Sequence, residues 1–205
     1  MIQDLLLHPK IWRGRSGSAR AVLPTGFNAL DAYLPGGGWP RDAMTEIFID
    51  RYGIGELALL MPALAFLSRS EEGAGRWIVW VAPPFIPYAP ALARCGIDLD
   101  RLLLVHSSTD EKKTLWAAEQ AVRSKSCAAA LVWLPAADDR ALRRLQLGVE
   151  AQKCWTVLFR PLAALERNSP AALRLRLSPC GSKTQVQIIK CRGARPIILS
   201  VDLKQ

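Results

Sequence analysis

An apolar segment, Thr45-Glu46-Ile47-Phe48-Ile49-Asp50, runs directly into Arg51-Tyr52-Gly53-Ile54-Gly55-Glu56 and then into a second apolar stretch from about Leu57 to Leu67. The short run bounded by turn formers reads as a buried strand, and the longer one as a helix. Strand, glycine-bearing turn, helix is the layout of a phosphate-binding loop. Such a loop needs a lysine to reach the phosphates and a Ser or Thr hydroxyl to hold magnesium. Here Gly55 stands at the lysine position and Glu56 at the hydroxyl position. A carboxylate there repels a triphosphate. Asp50, Arg51, Tyr52, Gly53, Ile54, Gly55 and Glu56 therefore read as a degenerate nucleotide loop, which points to a binding protein and away from an ATPase.

The rest of the chain continues the alternation. Strands are expected at 76–82, 102–105, 128–134 and 154–159, with helices at 90–95, 110–123 and 138–152 between them. Ser107, Ser108, Thr109 and Asp110 are candidate N-caps of the second helix, and Asp138 and Asp139 are acids suited to the first turn of the third. Near-continuous apolar strands separated by helices imply a mainly parallel sheet covered on both faces. The pattern then changes. Leu173-Arg174-Leu175-Arg176-Leu177 and Gln185-Val186-Gln187-Ile188 alternate strictly, as antiparallel strands with one wet face do. At the other end, residues 1–12 suit a short amphipathic helix, and Arg13 to Arg20 form a basic Gly/Ser linker. The expected organisation is residues 1–22 as N-terminal helix and linker, and 23–205 as one α/β core with C-terminal antiparallel strands.

A chain of 205 residues, half of them hydrophobic, suits one such domain. It has no apolar run long enough to span a bilayer and no signal-peptide pattern, so a cytoplasmic location without a membrane partner is expected. Five scattered cysteines without a C-x-x-C pair, and only His8 and His106, argue against a disulfide framework or a metal site. Of the tryptophans, Trp77, Trp80, Trp133 and Trp155 are expected in the core, whereas Trp12 and Trp39 fall in turns and are candidates for exposure.

The net charge of +9 is unevenly spread, with nine Lys or Arg against two acids from Arg160 onward. A basic segment favours a polyanion or an acidic protein. Arg174, Arg176, Lys183, Lys190, Arg192 and Arg195 are the candidates for contacts to the phosphates of single-stranded DNA. Leu5, Leu6, Trp12 and Arg13 are the candidates for anchoring a protein partner.

Leu23-Pro24-Thr25-Gly26, the Gly36-Gly37-Gly38 turn, Thr45-Glu46-Ile47 and Gly96-Ile97-Asp98-Leu99-Asp100 occur in an order and spacing that resembles the RecA-like ATPase core. That resemblance implies a P-loop-type core, a glutamate after the second core strand and an aspartate at the end of the strand over 128–134. This chain has Pro84 and Leu134 at those positions, and neither carries an ionisable group. With Gly55 and Glu56, each part of phosphoryl transfer is missing, so no nucleotide, metal or other cofactor is expected.

A closer resemblance is to the ImuA family, accessory proteins of bacterial mutagenic translesion synthesis that are also labelled SulA-like. It is carried by His8-Pro9…Trp12-Arg13-Gly14, Leu34-Pro35-Gly36-Gly37-Gly38-Trp39-Pro40, Gly53-Ile54-Gly55-Glu56-Leu57 and Ala82-Pro83-Pro84…Pro87-Tyr88-Ala89-Pro90-Ala91-Leu92. It implies a non-enzymatic adaptor induced by DNA damage. The implied partners are RecA, an ImuB-type Y-family-like protein and an error-prone replicative-type polymerase subunit. The SulA-like label implies a competing role, inhibition of cell division through FtsZ.

Overall fold

In a computed structural model of the chain, residues 22–69, 75–106, 110–181, 183–191 and 196–203 are described. The expected N-terminal helix and linker, with Leu5, Leu6, Trp12 and Arg13, lie outside these residues, as do Ser107, Ser108, Thr109, Arg192 and Arg195. In chain order the elements are β1 (Val22–Leu23), α1 (Asn28–Asp31), β2 (Trp39–Pro40), β3 (Met44–Ile49), α2 (Met61–Arg69), β4 (Trp77–Val81), α3 (Ala89–Arg94), β5 (Leu102–Val105), α4 (Glu111–Arg123), β6 (Cys127–Trp133), α5 (Asp139–Gln152), β7 (Trp155–Pro161), β8 (Leu173–Cys180), β9 (Lys183–Cys191) and β10 (Ile197–Val201). The large sheet has the order β10-β9-β8-β3-β7-β6-β4-β5. From β8 to β5 every neighbouring pair is parallel. The loop-bearing strand β3 therefore sits inside the sheet, between β7 and β8.

Both faces are covered, as continuous apolar strands require. On one face Leu64 and Leu67 of α2 and Leu92 of α3 pack with Ile47, Trp80, Leu131 and Val157. On the other, Ala118 and Val122 of α4 and Leu142, Leu145 and Val149 of α5 pack with Val79, Val132 and Leu158. The helical spacing of Leu142, Leu145 and Val149 makes this stripe. Each such side chain stabilises the fold by about 1.5–3 kcal/mol through burial. Asp110 caps α4, accepting the N–H groups of Lys112 at 3.0 Å and Lys113 at 3.2 Å. Asp138 caps α5 by accepting the Ala141 N–H at 2.6 Å, and Asp139 lies in its first turn.

Four sequence expectations change. The helix expected from Leu57 begins at Met61, because residues 57–60 form a turn in which the Leu59 N–H bonds the Gly55 carbonyl at 3.0 Å. Trp39 is not exposed: it sits on β2, fully buried, with its ring 5.9 Å from that of Trp155. Trp77 is partly exposed, while Trp80, Trp133 and Trp155 are core. The largest change concerns β8, which is antiparallel to β9 but parallel to β3, so it is an inner strand of the sheet. Its expected wet face is partly closed, and Arg174 is buried. Arg174 bonds Glu46 of β3 at 2.8 Å and the Leu165 carbonyl at 2.9 Å, with its guanidinium 4.8 Å above the Phe48 ring. Arg160 of β7 bonds the other oxygen of Glu46 at 2.8 Å, also out of water. Arg174 is thus a structural cation and not a DNA contact. Period-two alternation cannot reveal this, because the covering carbonyl comes from the chain that follows β7.

Candidate functional site

Strand β3 delivers its chain to the carboxyl ends of the parallel strands, the edge where open α/β sheets place their ligands. There the degenerate loop turns back on itself. Asp50, Arg51 and Tyr52 are exposed, and Gly53 and Gly55 take φ values of +81° and +98°, a conformation that glycine supplies without strain. Glu56 is almost wholly buried. Its Oε1 accepts the Gly53 N–H at 2.9 Å, and its Oε2 accepts the Gly53 N–H at 3.1 Å and the Ile54 N–H at 2.9 Å. Successive backbone N–H groups of this kind form the anion-binding concavity of a phosphate loop. In this chain the anion is the protein's own carboxylate, held by charge-assisted bonds.

The loop is also tied from outside. Thr184 of β9 donates its hydroxyl to the Ile54 carbonyl at 2.7 Å. A Cβ at Gly55 would meet Leu203 and lie 2.6 Å from the Thr184 hydroxyl. The repulsion read from sequence is therefore only half of the role of Glu56. The carboxylate is also held inside its own loop by the Gly53 and Ile54 N–H groups.

Beside the loop lies an apolar cleft of about 380 Å³, lined by Tyr52, Leu57, Trp80, Pro83, Pro84, Phe85, Pro87 and Trp133, together with Gly53 and Glu56 of the loop. β4 feeds this wall through Ala82, whose φ of +54° is uncommon for a residue with a Cβ. The aromatic groups brace one another. Tyr52 meets Phe85 edge-on at 5.9 Å, Trp80 lies 5.7 Å from Trp133, and Trp133 stacks on Phe159 at 4.7 Å. The Trp80 indole N–H has no acceptor among the described residues. From the wall residue Phe85, 69% exposed, the exposed apolar side chains continue along the chain to Ile86, 80%, and Tyr88, 68%.

Of the two positions read as lost catalytic groups, Pro84 lines the cleft. Leu134 is fully buried and donates its N–H to the Phe159 carbonyl at 3.1 Å. Among the described residues no group of three or more His, Cys, Asp or Glu is placed to hold a metal, and no helix is long and apolar enough to cross a membrane. The site offers apolar area beside a loop whose N–H groups are taken up by Glu56, which suits burying an apolar group.

The described basic candidates differ in placement. Arg174 is consumed by Glu46. Lys190 donates to the Ser169 carbonyl at 2.8 Å. Arg176, opposite Gln187, and Lys183, opposite Cys180 at the hairpin tip, are exposed. Sequence reasoning missed Phe85, Ile86 and Tyr88 as a surface, although the prolines from Pro83 to Pro90, interleaved with aromatic groups, signal a segment that cannot join a sheet or helix interior. It also missed Glu46, whose signal was a carboxylate in the middle of an apolar strand, which needs a buried cation.

No family model matches the chain. Over 118 residues, 56% of this chain and 68% of the other, it is 26% identical to the cell division inhibitor SulA of Edwardsiella piscicida. The crystal structure of SulA from Pseudomonas aeruginosa aligns with a TM-score of 0.47 and 24% identity, covering 57% of this chain and 97% of that one.

Proposed function

We propose that this protein is a non-catalytic docking factor of the bacterial SOS response, which grips a partner protein through the apolar cleft and the Phe85–Tyr88 crown. The observation that carries the reading is Glu56, whose carboxylate occupies the loop amides a phosphate would need. The strand–loop–helix setting supports descent from a RecA-like nucleotide-binding core. The sequence similarity to SulA supports the SOS setting.

That similarity favours a division protein as partner. On this reading the protein binds FtsZ and arrests division. A second reading, an adaptor of translesion synthesis that binds RecA, an ImuB-type protein or the error-prone polymerase subunit, is supported by the placement of segment 82–92. This segment carries the ImuA-type motif, and its Pro83, Pro84, Phe85 and Pro87 line the cleft.

The deciding experiment offers the immobilised protein purified FtsZ, RecA, ImuB-type protein and polymerase subunit separately, and repeats each with a Phe85→Ala/Tyr88→Ala variant. One partner should bind, and the variant should lose at least about tenfold in affinity, as removal of aromatic anchors does. Retention of FtsZ, with filamentation on expression, selects the first reading; retention of the translesion proteins selects the second. ATP turnover by the purified protein that disappears in Glu56→Ala would overturn both.

A further inference from the structure

Two free thiols, far apart in sequence, meet inside the protein. Cys127 opens β6 and Cys154 immediately precedes β7. Both are buried, with their sulfurs 3.4 Å apart. Regular alternation would not bring them together. Residues two apart on a strand share a face, so Cys127 should lie with Ala129, which belongs to the core under α2 and α3. It lies instead with Cys154 in the core under α4 and α5. The cause is a bulge in β6. Trp77 of β4 faces Cys127, yet the next residue, Ile78, faces Ala129. The extra residue, Ala128, turns Cys127 to the other face. Bulges re-aim side chains in this way and are built features of a sheet.

A cation ties the two segments together. The Arg76 guanidinium donates to the Lys125 carbonyl at 3.1 Å, to the Cys127 carbonyl, and to the Gln152 carbonyl at 3.4 Å. It thus joins the start of β6 to the end of α5, just before Cys154. The contact with Cys127 lowers the Cys154 thiol against the cost of burying an anion, aided by the Thr156 hydroxyl 3.8 Å away and by the charge of Arg76. A thiolate beside a second thiol is the arrangement that oxidants convert. Neighbouring strands lie about 4.8 Å apart, within the Cα separation that a disulfide bridges. A small oxidant also has a route inward, because Cys127 lines, with Val79, Val105 and Ala121, a groove of about 330 Å³ between β4, β5 and α4.

We propose that Cys127 and Cys154 are an oxidation site, at which a hydroperoxide converts the two thiols into a disulfide that locks the start of β6 to the entry of β7. The Cys154 thiolate attacks one peroxide oxygen and the O–O bond breaks. Hydroxide leaves and takes up the proton that Cys154 had released, as water. Cys154 is then a sulfenic acid. The Cys127 sulfur attacks the Cys154 sulfur, the S–O bond breaks, and the hydroxyl leaves as water with the Cys127 proton. Two thiols and one hydrogen peroxide become one disulfide and two waters, and the peroxide accepts both electrons. The chain between the two cysteines, which holds β6 and α5, becomes a closed loop. Closure restricts the unfolded chain, so the disulfide form is harder to unfold. β6 runs from Cys127 to the cleft residue Trp133, so the lock lies at the end of the strand remote from the cleft.

The test starts from the native protein with its exposed thiols blocked by iodoacetamide. Hydrogen peroxide is added in an amount that fully oxidises glutathione in a parallel tube. The protein is then unfolded in a second alkylating reagent of different mass and digested with trypsin without reduction. The expected product is a peptide pair joined through Cys127 and Cys154, lighter by two hydrogens than its separate halves, absent from Cys127→Ala and released by dithiothreitol. Fragmentation of the joined pair identifies the bond in the parent protein itself, so the result does not depend on the folding of the variant. The urea midpoint of the oxidised protein should rise by about 1 M and return with dithiothreitol. Three results would each overturn the proposal: both cysteines recovered as alkylated thiols or as separate sulfinic acids, a link that forms only when peroxide is added in urea, or a urea midpoint that is unchanged or lower.

Discussion

Arg174 and Glu46 meet at 2.8 Å across the β8–β3 pair, in a site almost closed to water. The same carboxylate holds Arg160 on its far side, so one buried anion links three adjacent strands. Removing one partner of such a group leaves charge in a place that cannot hydrate it. Arg174→Ala is expected to destabilise the protein by about 3–5 kcal/mol, read as a fall in the denaturant midpoint. Arg176→Ala, two residues along and exposed, should change stability by no more than about 0.5 kcal/mol. An Arg174→Ala protein of normal stability that has lost affinity for single-stranded DNA would restore the DNA-contact role expected from sequence.

Glu56→Ala strips the anion from the Gly53 and Ile54 amides. Leaving buried donors unpaired costs about 1–3 kcal/mol. The emptied loop should then accept an external anion. Inorganic pyrophosphate is expected to raise the melting temperature of Glu56→Ala but not that of the parent protein. A parent protein that is itself stabilised by pyrophosphate would mean that Glu56 leaves the loop readily.

Gly55→Ala tests the same loop from outside. The added methyl group meets Leu203 and Thr184 at a φ of +98°, so strain and crowding act together. A loss of about 1–3 kcal/mol is expected. The same change at Gly53, whose Cβ position is open, carries the backbone strain alone and should cost less.

Cys127 and Cys154 are buried with their sulfurs 3.4 Å apart. The contact with Cys154, together with burial, pushes the Cys127 thiol well above its ordinary value. A raised folded value means that the unfolded chain ionises first. The contribution of Cys127 to stability is therefore present below the ordinary thiol value of 9.0 and declines as pH rises past it. Denaturant midpoints measured across this range should fall more steeply above that pH in the parent than in Cys127→Ala. In the native protein at neutral pH a thiol reagent should reach Cys95 and Cys180, which are exposed, long before this pair.

Much of the scaffold was legible because it rests on local patterning. The strand expected at 102–105 is β5, the helix expected at 138–152 is α5 to within a residue, and the two-faced burial of β6 follows from its unbroken apolar run. The turn glycines of the loop were legible too, since Gly53 and Gly55 do adopt positive φ. Trp39 was misread because it follows a glycine run, and sequence does not reveal that Trp39 and Pro40 pair with β1 and that the indole packs on Trp155. Arg174 was misread because its alternation with leucine is the same in a half-wet strand and in one roofed by a loop.

Local sequence thus determined where the chain is extended, where it coils and where it must turn, because side-chain periodicity and glycine freedom act over a few residues. Only the tertiary structure decided which charges are surface and which are core, and that Glu56 serves its own loop. The first outcome depends on groups brought together from remote parts of the chain, Glu46 with Arg174; the second joins Glu56 to Gly53 and Ile54 a few residues away, in a loop that Thr184 ties from β9, and no residue pattern encodes a distance through space.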